Sequence, residues 1–319
     1  MKREPDGGPA EGRGREERGS PSRTKRGGRR VSILRTMILL VTAAAVGCGM
    51  PAAAGLSGAE AEEMTLTAFN VGKADSLLLQ SGESAYLIDT GRGKNWEKIE
   101  EGLRRLGVTR LDGVVITHMD SDHVGGLKKM LKSGLETDHL YAPAFYLPEK
   151  DGEENPAVKA ARKSGPEVEF LQGGAELPLD GGRLLVLGPL HAAADKEDSN
   201  SLVLYAEAAG GSILLAGDME FPEEEDLLRA GVIPRADVLK VGNHGDDDAT
   251  SPALLSAVQP KAAVISTSTE EKASTPAKRV LKALEAWNTQ VYQTQEAEWG
   301  IRVTVRDGEI TAERLDRLP

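Results

Sequence analysis

The sequence predicts an α/β protein in which two sheets pack on each other and helices cover the outside. Three observations carry this. Strand patterns gather in two halves of residues 64–319, and each half runs on into helical patterns. Residues able to bind cations stand at the ends of apolar strands, not along them. Such strands need cover on both faces, which a second sheet and a helical layer supply. No short-period repeat is present, so a solenoid is not expected.

The elements follow in order. "MTLTAFNV" (64–71) reads as a strand, because Thr and Val favour an extended chain. "GKAD" (72–75) is a turn, and "SLLLQS" and "SAYLIDTG" form a hairpin pair ending at Asp89. "KNWEKIEEGLRRLGV" sets Trp96, Ile99, Leu103 and Leu106 at helical spacing, with Gly107 as its cap. "LDGVVIT" is a continuous apolar strand of the buried type. "VGGLKKMLKS" opens a helix, and "HLYAPAFY" returns to strand. Residues 148–168 read as an exposed helix and loops. Strands resume in "EVEFLQ", "GRLLVLGP", "NSLVLYAEAAGGSILLAGD" and "ADVLKVG". The "EEED" run at 223–226 reads as a solvated helix start. Helices and strands from "SPALLSAV" to "GIRVTVRDGEITAERL" close the chain.

The 319 residues allow one large or two small domains. Aromatic residues make up only 4%, so the core must be Val, Leu, Ile and Ala. Residues 1–36 hold eleven Lys/Arg against five Asp/Glu, which leaves −17 of the net −11 to the rest. A body that acidic does not bind duplex DNA by neutralising phosphates. A nucleotide or nucleic acid held through metal ions is not excluded. Cys48 is the one cysteine, so no intrachain disulfide forms, and any metal site in the body must use His and carboxylates.

Three segments are expected. Residues 1–36 are a disordered basic N-terminus. Residues 37–63 form an export signal and tether, with a basic flank, a short apolar run from Met37 to Val46 and small residues after it. That run is too short to span a bilayer comfortably. "AVGC" (45–48) resembles a bacterial lipobox, although Ala45 stands where Leu is commoner; simple cleavage after "PAAAG" and an uncleaved anchor are the competing readings. Each places the body, residues 64–319, outside the cytoplasm, anchored at Cys48 or secreted. No protein partner is inferable.

Four places end an apolar strand with a potential ligand: Asp89 in "YLIDTG", the group His118, Asp120, Asp122 and His123 in "VVITHMDSDHVGGL", Asp218 in "ILLAGD", and His244 in "LKVGNHG". A carboxylate after a run such as "ILLA" is expensive near a core unless it is paired or bound to a cation. Converging strand ends would make a cage of imidazole and carboxylate for divalent metal. Within the cluster, residues two apart can aim at one focus while Asp122 and His123 address a second. Two metals roughly 3.5–4 Å apart fit that arrangement. The bland alternative makes Asp122 the cap of the following helix, which leaves both His unexplained.

"LIDTG", "THMDSDHVGG", "DSNSLVL", "LLAGD" and "GNHG" together resemble the metallo-β-lactamase superfamily, in order and spacing, across essentially the whole body. "FNVGKAD" and "LKVGNHG" make the chain similar to the hydrolase domain of the DNA-uptake protein ComEC and its stand-alone relatives. The resemblance implies a four-layer αββα sandwich and a metal-dependent hydrolase. His118 and Asp120 would hold a first metal, and Asp122, His123 and His244 a second. Asp218 would bridge them, and Asp75 and Asp89 would orient ligands and loops. A bridging hydroxide attacks in this superfamily, and Asp120 and Asp122 would be the catalytic pair. Zn²⁺ is the expected ion, two per chain, with Mn²⁺ as the harder rival because oxygen ligands outnumber imidazoles.

Three departures stand out. The superfamily's middle His is absent, and Glu197, Asp198 or Asn200 stands in its region, with Ser201 beside them. His139 and His191 match no motif and read as surface or core residues, although His191 lies near that loop and could substitute. Asn243 replaces the first of a His pair, and Thr275 stands where a substrate-side His is usual. "GDDDATS" (245–251) sets three acids beside His244, which would repel a polyanion that metal does not offset. There is no "GxSxG" turn for a serine hydrolase and no phosphate-cradling Gly loop. The expected function is an exported phosphodiesterase acting on nucleic acid or nucleotides. The alternatives are a β-lactam or ester hydrolase, and a lipoprotein scaffold that keeps the fold without turnover.

Overall fold

The computed structural model describes residues 63–148, 150, 152–163, 165–192 and 196–319. The readings of disordered N-terminus, export signal, Cys48 and tether fall on residues outside these.

The first sheet begins with three antiparallel strands, β1 (Met64–Phe69), β2 (Leu77–Ser81) and β3 (Ser84–Ile88). Three crossovers then extend it in parallel. Helix α1 (Trp96–Arg105) leads to β4 (Arg110–Val115), α2 (Leu127–Ser133) to β5 (Glu136–Pro143), and α3 (Pro156–Ala161) to β6 (Val168–Leu171). The second sheet repeats the plan. Antiparallel β7 (Glu176–Leu179), β8 (Gly182–Gly188), β9 (Val203–Ala208) and β10 (Gly211–Leu215) come first. Helix α4 (Phe221–Ala230) then leads to β11 (Val238–Lys240), α5 (Pro252–Val258) to β12 (Ala262–Ile265), and α6 (Lys278–Ala286) to β13 (Gln290–Gln293), again in parallel. A last hairpin, β14 (Gly300–Arg306) and β15 (Glu309–Leu315), returns to the first sheet and pairs with β1.

The strands match the expectation, with two differences. Strand β5 stops at Pro143, short of Tyr146. Strand β7 is an extra edge whose Leu177 and Leu179 face inward while Glu176 and Pro178 stay exposed.

Three apolar clusters separate four layers. Between the sheets lie Leu66 and Leu79 from one and Leu184, Leu204 and Leu215 from the other. Alternate residues of the first sheet, Leu78, Leu87 and Val114 among them, pack under Ile99 of α1, Met130 of α2 and Ala157 of α3. Leu214, Leu239 and Ala263 of the second sheet meet Leu227 of α4, Leu255 of α5 and Leu284 of α6. Side chains that alternate across a strand bury both faces in this way. The result is the αββα sandwich. Among the described residues no helix is long and apolar enough to cross a membrane.

The two sheets are joined at one rim, where the Leu202 amide donates to the Thr117 carbonyl at 2.9 Å. The chain leaving β4 is packed tightly there. A Cβ on Gly125 would lie 2.2 Å from the Ser121 carbonyl, and one on Gly126 would lie 2.2 Å from that of Thr90. The two glycines thus let the His/Asp loop press against the β3–α1 loop. Gly126 is also the N-cap of α2 and no side chain caps it, so Asp122 is not there as a cap.

Candidate metal centre

Strands β3 and β4 run parallel in the first sheet and β10 and β11 in the second, and the residues after all four C-terminal ends meet at one rim of the sandwich. Asp89 follows β3 directly, and His118 lies three residues beyond β4. Asp218 lies three beyond β10, and His244 four beyond β11. The antiparallel neighbours begin at that rim, so the approach to β2 brings Asp75, and the approach to β9 brings Asp198 and Ser201. Carbonyl and amide groups left over at the rim are tied across loops. Asp75 N donates to Asp122 O at 3.2 Å, and Thr90 N donates to His123 O at 2.8 Å.

His118, His123 and His244 are all fully buried. Each uses Nδ1 for a fixed partner. His123 Nδ1 meets Asp89 Oδ2 at 2.7 Å, and His244 Nδ1 meets the Ser266 carbonyl at 2.9 Å. His118 Nδ1 lies 3.1 Å from Thr117 Oγ1, whose hydroxyl donates to Asp89 Oδ2 at 2.7 Å. Asp89 Oδ1 also accepts from Thr117 N at 2.7 Å. With the proton of a neutral imidazole on Nδ1, each Nε2 turns its lone pair toward the rim. All three Nε2 atoms are buried and without a hydrogen-bond partner. They gather around Asp218, whose Oδ2 is 3.4 Å from His123 Nε2 and 3.2 Å from His244 Nε2. Ser201 Oγ fixes the Asp218 backbone by accepting from its N–H at 3.0 Å.

The carboxylates divide into two sides. His118, His123 and Asp218 offer ligand atoms within 4.8 Å of one another, as do His118, Asp120 and Asp198. On the other side Asp122, His123 and His244 do the same. Buried, unpartnered nitrogens facing carboxylate oxygens are what a divalent cation needs, and the donor set fits one or two. Of the three candidates for the missing middle His, the structure brings Asp198 to the cluster, with Oδ1 3.7 Å from His118 Nε2. Glu197 is turned elsewhere and accepts from Met119 N and Leu147 N, while Asn200 donates to Glu197.

The charges respond to this crowding. Burial, helped by the charge of His123, pushes the His118 pKa down to about 4. Burial also acts to lower His123, but the Asp218 and Asp89 carboxylates outweigh it and hold the imidazole well above its usual value. Burial acts to raise Asp218, and His244 and His123 overcome it, keeping the carboxyl well below the usual range. Asp120 is exposed at the rim, where partial burial and the neighbouring Asp122 charge raise its pKa. Asp198 is raised by burial, against the opposing pull of His118.

The other residues singled out in the sequence are placed as follows. Asn243 adopts a left-handed backbone (φ 41°) and its amide donates to Glu220 and Asp248, so it shapes the loop that carries His244. Thr275, at the position of the absent substrate-side His, is buried and donates to the Lys272 carbonyl at 3.0 Å. His191 is exposed and pairs with Asp226 at 3.2 Å, so it does not replace the missing ligand. His139 is an exposed partner of Glu169. Within the "EEED" run, Glu224 is buried and accepts from the Thr250 and Ser251 amides, anchoring the acidic loop. Two neighbours of the cluster escaped the sequence reading. Lys240 is fully buried at 2.8 Å from Asp75 Oδ2, and Arg92 spans Asp122 and Glu271 at 3.1 and 2.9 Å.

The profile of the family described as "Metallo-beta-lactamase superfamily" matches residues 70–269, which include every residue of this cluster. The chain belongs to this superfamily. ComE operon protein 3 of Bacillus subtilis (strain 168) is 31% identical over 190 residues, covering 60% of this chain and 24% of that protein. Competence protein ComA of Neisseria gonorrhoeae is 27% identical over 257 residues, covering 79% and 34%. The match therefore spans about a third or less of these relatives' length. Among solved structures, the metallo-beta-lactamase fold protein YhfI from Bacillus subtilis is 12% identical with a TM-score of 0.47, covering 79% of this chain and 100% of that one. A diphosphatase from the PhnP family is 13% identical with a TM-score of 0.43, covering 79% and 97%. Membership of the metallo-β-lactamase superfamily implies a divalent-metal site, and the cluster supplies side-chain groups able to hold one.

Proposed function

We propose that this metallo-β-lactamase-fold chain is a metal-dependent hydrolase of phosphodiester bonds in nucleotides or short single-stranded nucleic acid. The observation that carries it is the trio of buried, unpartnered Nε2 atoms around Asp218. His118, Asp120 and Asp198 would hold one ion, His123, Asp122 and His244 the other, and Asp218 would lie between them. Zn²⁺ is the proposed ion, two per chain, and the oxygen-rich set also suits Mn²⁺. Bound there, divalent ions supply an ionised water at neutral pH and offset charge on phosphoryl oxygens. The chain's own groups do the rest. Asp89 holds the imidazoles in register, and Asp120, the exposed carboxylate of the set, stands at the open rim where substrate would enter.

The competence-protein names of the relatives support a nucleic-acid or nucleotide substrate. A cavity of about 490 Å³ beside Asp198 and Asn243 supports a small one. Its wall carries Glu220, Asp246, Asp247 and Asp248 against Lys73 and Lys272, a charge balance that disfavours a long polyanion. We further propose that the body works outside the cytoplasm, anchored at Cys48 or secreted; mass analysis of the mature N-terminus tests this.

The test is turnover of a chromogenic phosphodiester, a dinucleotide, single-stranded DNA and a chromogenic β-lactam by metal-loaded full-length chain. Chelation should abolish phosphodiester turnover, Asp122→Ala/His123→Ala should lack it, and the β-lactam should be spared. Metal bound without turnover of any substrate would leave the scaffold as the better account.

A further inference from the structure

Lys240 is the last residue of β11 and has no exposed surface. Among the described residues no other Lys or Arg is fully buried. Its ammonium donates to the Val241 carbonyl at 3.0 Å and lies 2.8 Å from Asp75 Oδ2. Burying an ammonium under a cation site is costly, so it calls for a local reason. Asp75 supplies one. Its carboxylate is fully buried and neither oxygen accepts a hydrogen bond, so the ion pair with Lys240 is its main hold. It also lies within ligand reach of the cluster. Its oxygens group with Asp218 and His244, and with Asp89 and His123, within 4.8 Å. His244 Nδ1 is 3.9 Å from Asp75 Oδ1, so the pair sits directly behind the imidazole that faces Asp218.

We infer that Lys240 is a positioning residue that holds Asp75 out of the metal-ligand set, and so fixes which carboxylates the cluster offers to a cation. The inference rests on the metal-binding reading above. Free of Lys240, Asp75 would be a buried anion with no hydrogen bond and a cation within reach. It would join the ligands, add an oxygen donor and raise the coordination number. The site would then favour a harder ion.

The experiment uses the full-length chain, stripped by chelation, as wild type, Lys240→Met, Lys240→Gln and the double variant Lys240→Met/Asp75→Asn. Zn²⁺ and Mn²⁺ affinities are read by competition with a chromophoric chelator, and Co²⁺ serves as a coordination probe. In both single variants the Zn²⁺/Mn²⁺ affinity ratio should shift toward Mn²⁺ by about tenfold, the usual size of a change just behind metal ligands. The Co²⁺ d–d band should weaken, as it does when a ligand is added. The double variant should return to the wild-type ratio and band, because the withheld carboxylate is gone. Single variants with wild-type ratio and band overturn the inference. Where the singles do not fold, the double variant decides, since it leaves no unpaired charge, and a changed band in it overturns the inference. Wild type that binds none of the three ions refutes the metal-binding reading instead.

Discussion

Asp89 offers the sharpest test of how the cluster is built. It is fully buried and accepts from Thr117 N, Thr117 Oγ1 and His123 Nδ1, all at 2.7 Å. Asp89→Ala strands the Thr117 amide and the His123 Nδ1–H, and each buried orphan costs about 1–3 kcal/mol. Asp89 also sits at φ 62°, where Ala adds about 1 kcal/mol. The Thr117 hydroxyl has other neighbours and adds little. The sum is about 3–7 kcal/mol, a large share of the ~5–15 kcal/mol that holds a typical domain. Asp89→Asn keeps the backbone preference and one acceptor but turns an NH₂ toward existing donors. It should lose about 1–3 kcal/mol and about 10–100-fold in metal affinity, because the imidazoles lose their orientation. Urea unfolding in chelator gives the first quantity and metal competition the second. An Asp89→Ala midpoint within about 1 kcal/mol of wild type would refute the reasoning; so would wild-type metal affinity in Asp89→Asn.

Four further outcomes follow from the same geometry. Asp198→Ala should lower bound metal from two equivalents toward one by elemental analysis, while Glu197→Gln should change stability and leave metal content alone. Metal-free protein should lose stability as pH falls from about 6.5 to 4, by about 3 kcal/mol, because burial depresses the His118 pKa to about 4 and the unfolded chain takes up the proton first. The raised pKa of His123 acts in the opposite sense, its stability present below 6.5 and lost only as pH rises through the folded value, so a His118→Asn variant should flatten the acid limb of a thermal melt series. Glu224→Ala should cost about 2–4 kcal/mol in urea, since it orphans the Thr250 and Ser251 amides, whereas the neighbouring, exposed Glu225→Ala should cost less than about 0.5 kcal/mol.

The layered fold was legible because strand and helix periods alternate cleanly and the ligands stand at strand ends. The cluster from His118 to His123 could be read for the same reason: two imidazoles and two carboxylates in one short turn exceed what a solvated turn needs. What escaped is what depends on partners distant in sequence. Lys240 in "VLKVG" resembles any strand-end lysine, and only the fold brings Asp75 beneath it. Glu224 stands in a run of acids, yet the loop at Thr250 folds over that one position. Asp198 and Glu197 are neighbours of one charge, and a short turn decides which faces His118. Strand β7 is four residues long with a Pro in it, a weak signal by itself.

The centre draws on both sheets: Asp89, His118, Asp120, Asp122 and His123 come from the first half, and Asp198, Asp218 and His244 from the second. The closing hairpin β14–β15 also crosses from the second half to pair with β1. Neither half holds all of the proposed ligands, and the second lends strands to the first. A chain severed in the short connection between β6 and β7 would therefore give two fragments with mutually complementary surfaces. Their reunion would be driven by the shared strands and sealed by a divalent ion, which makes the rim a natural place to build a metal-gated split protein.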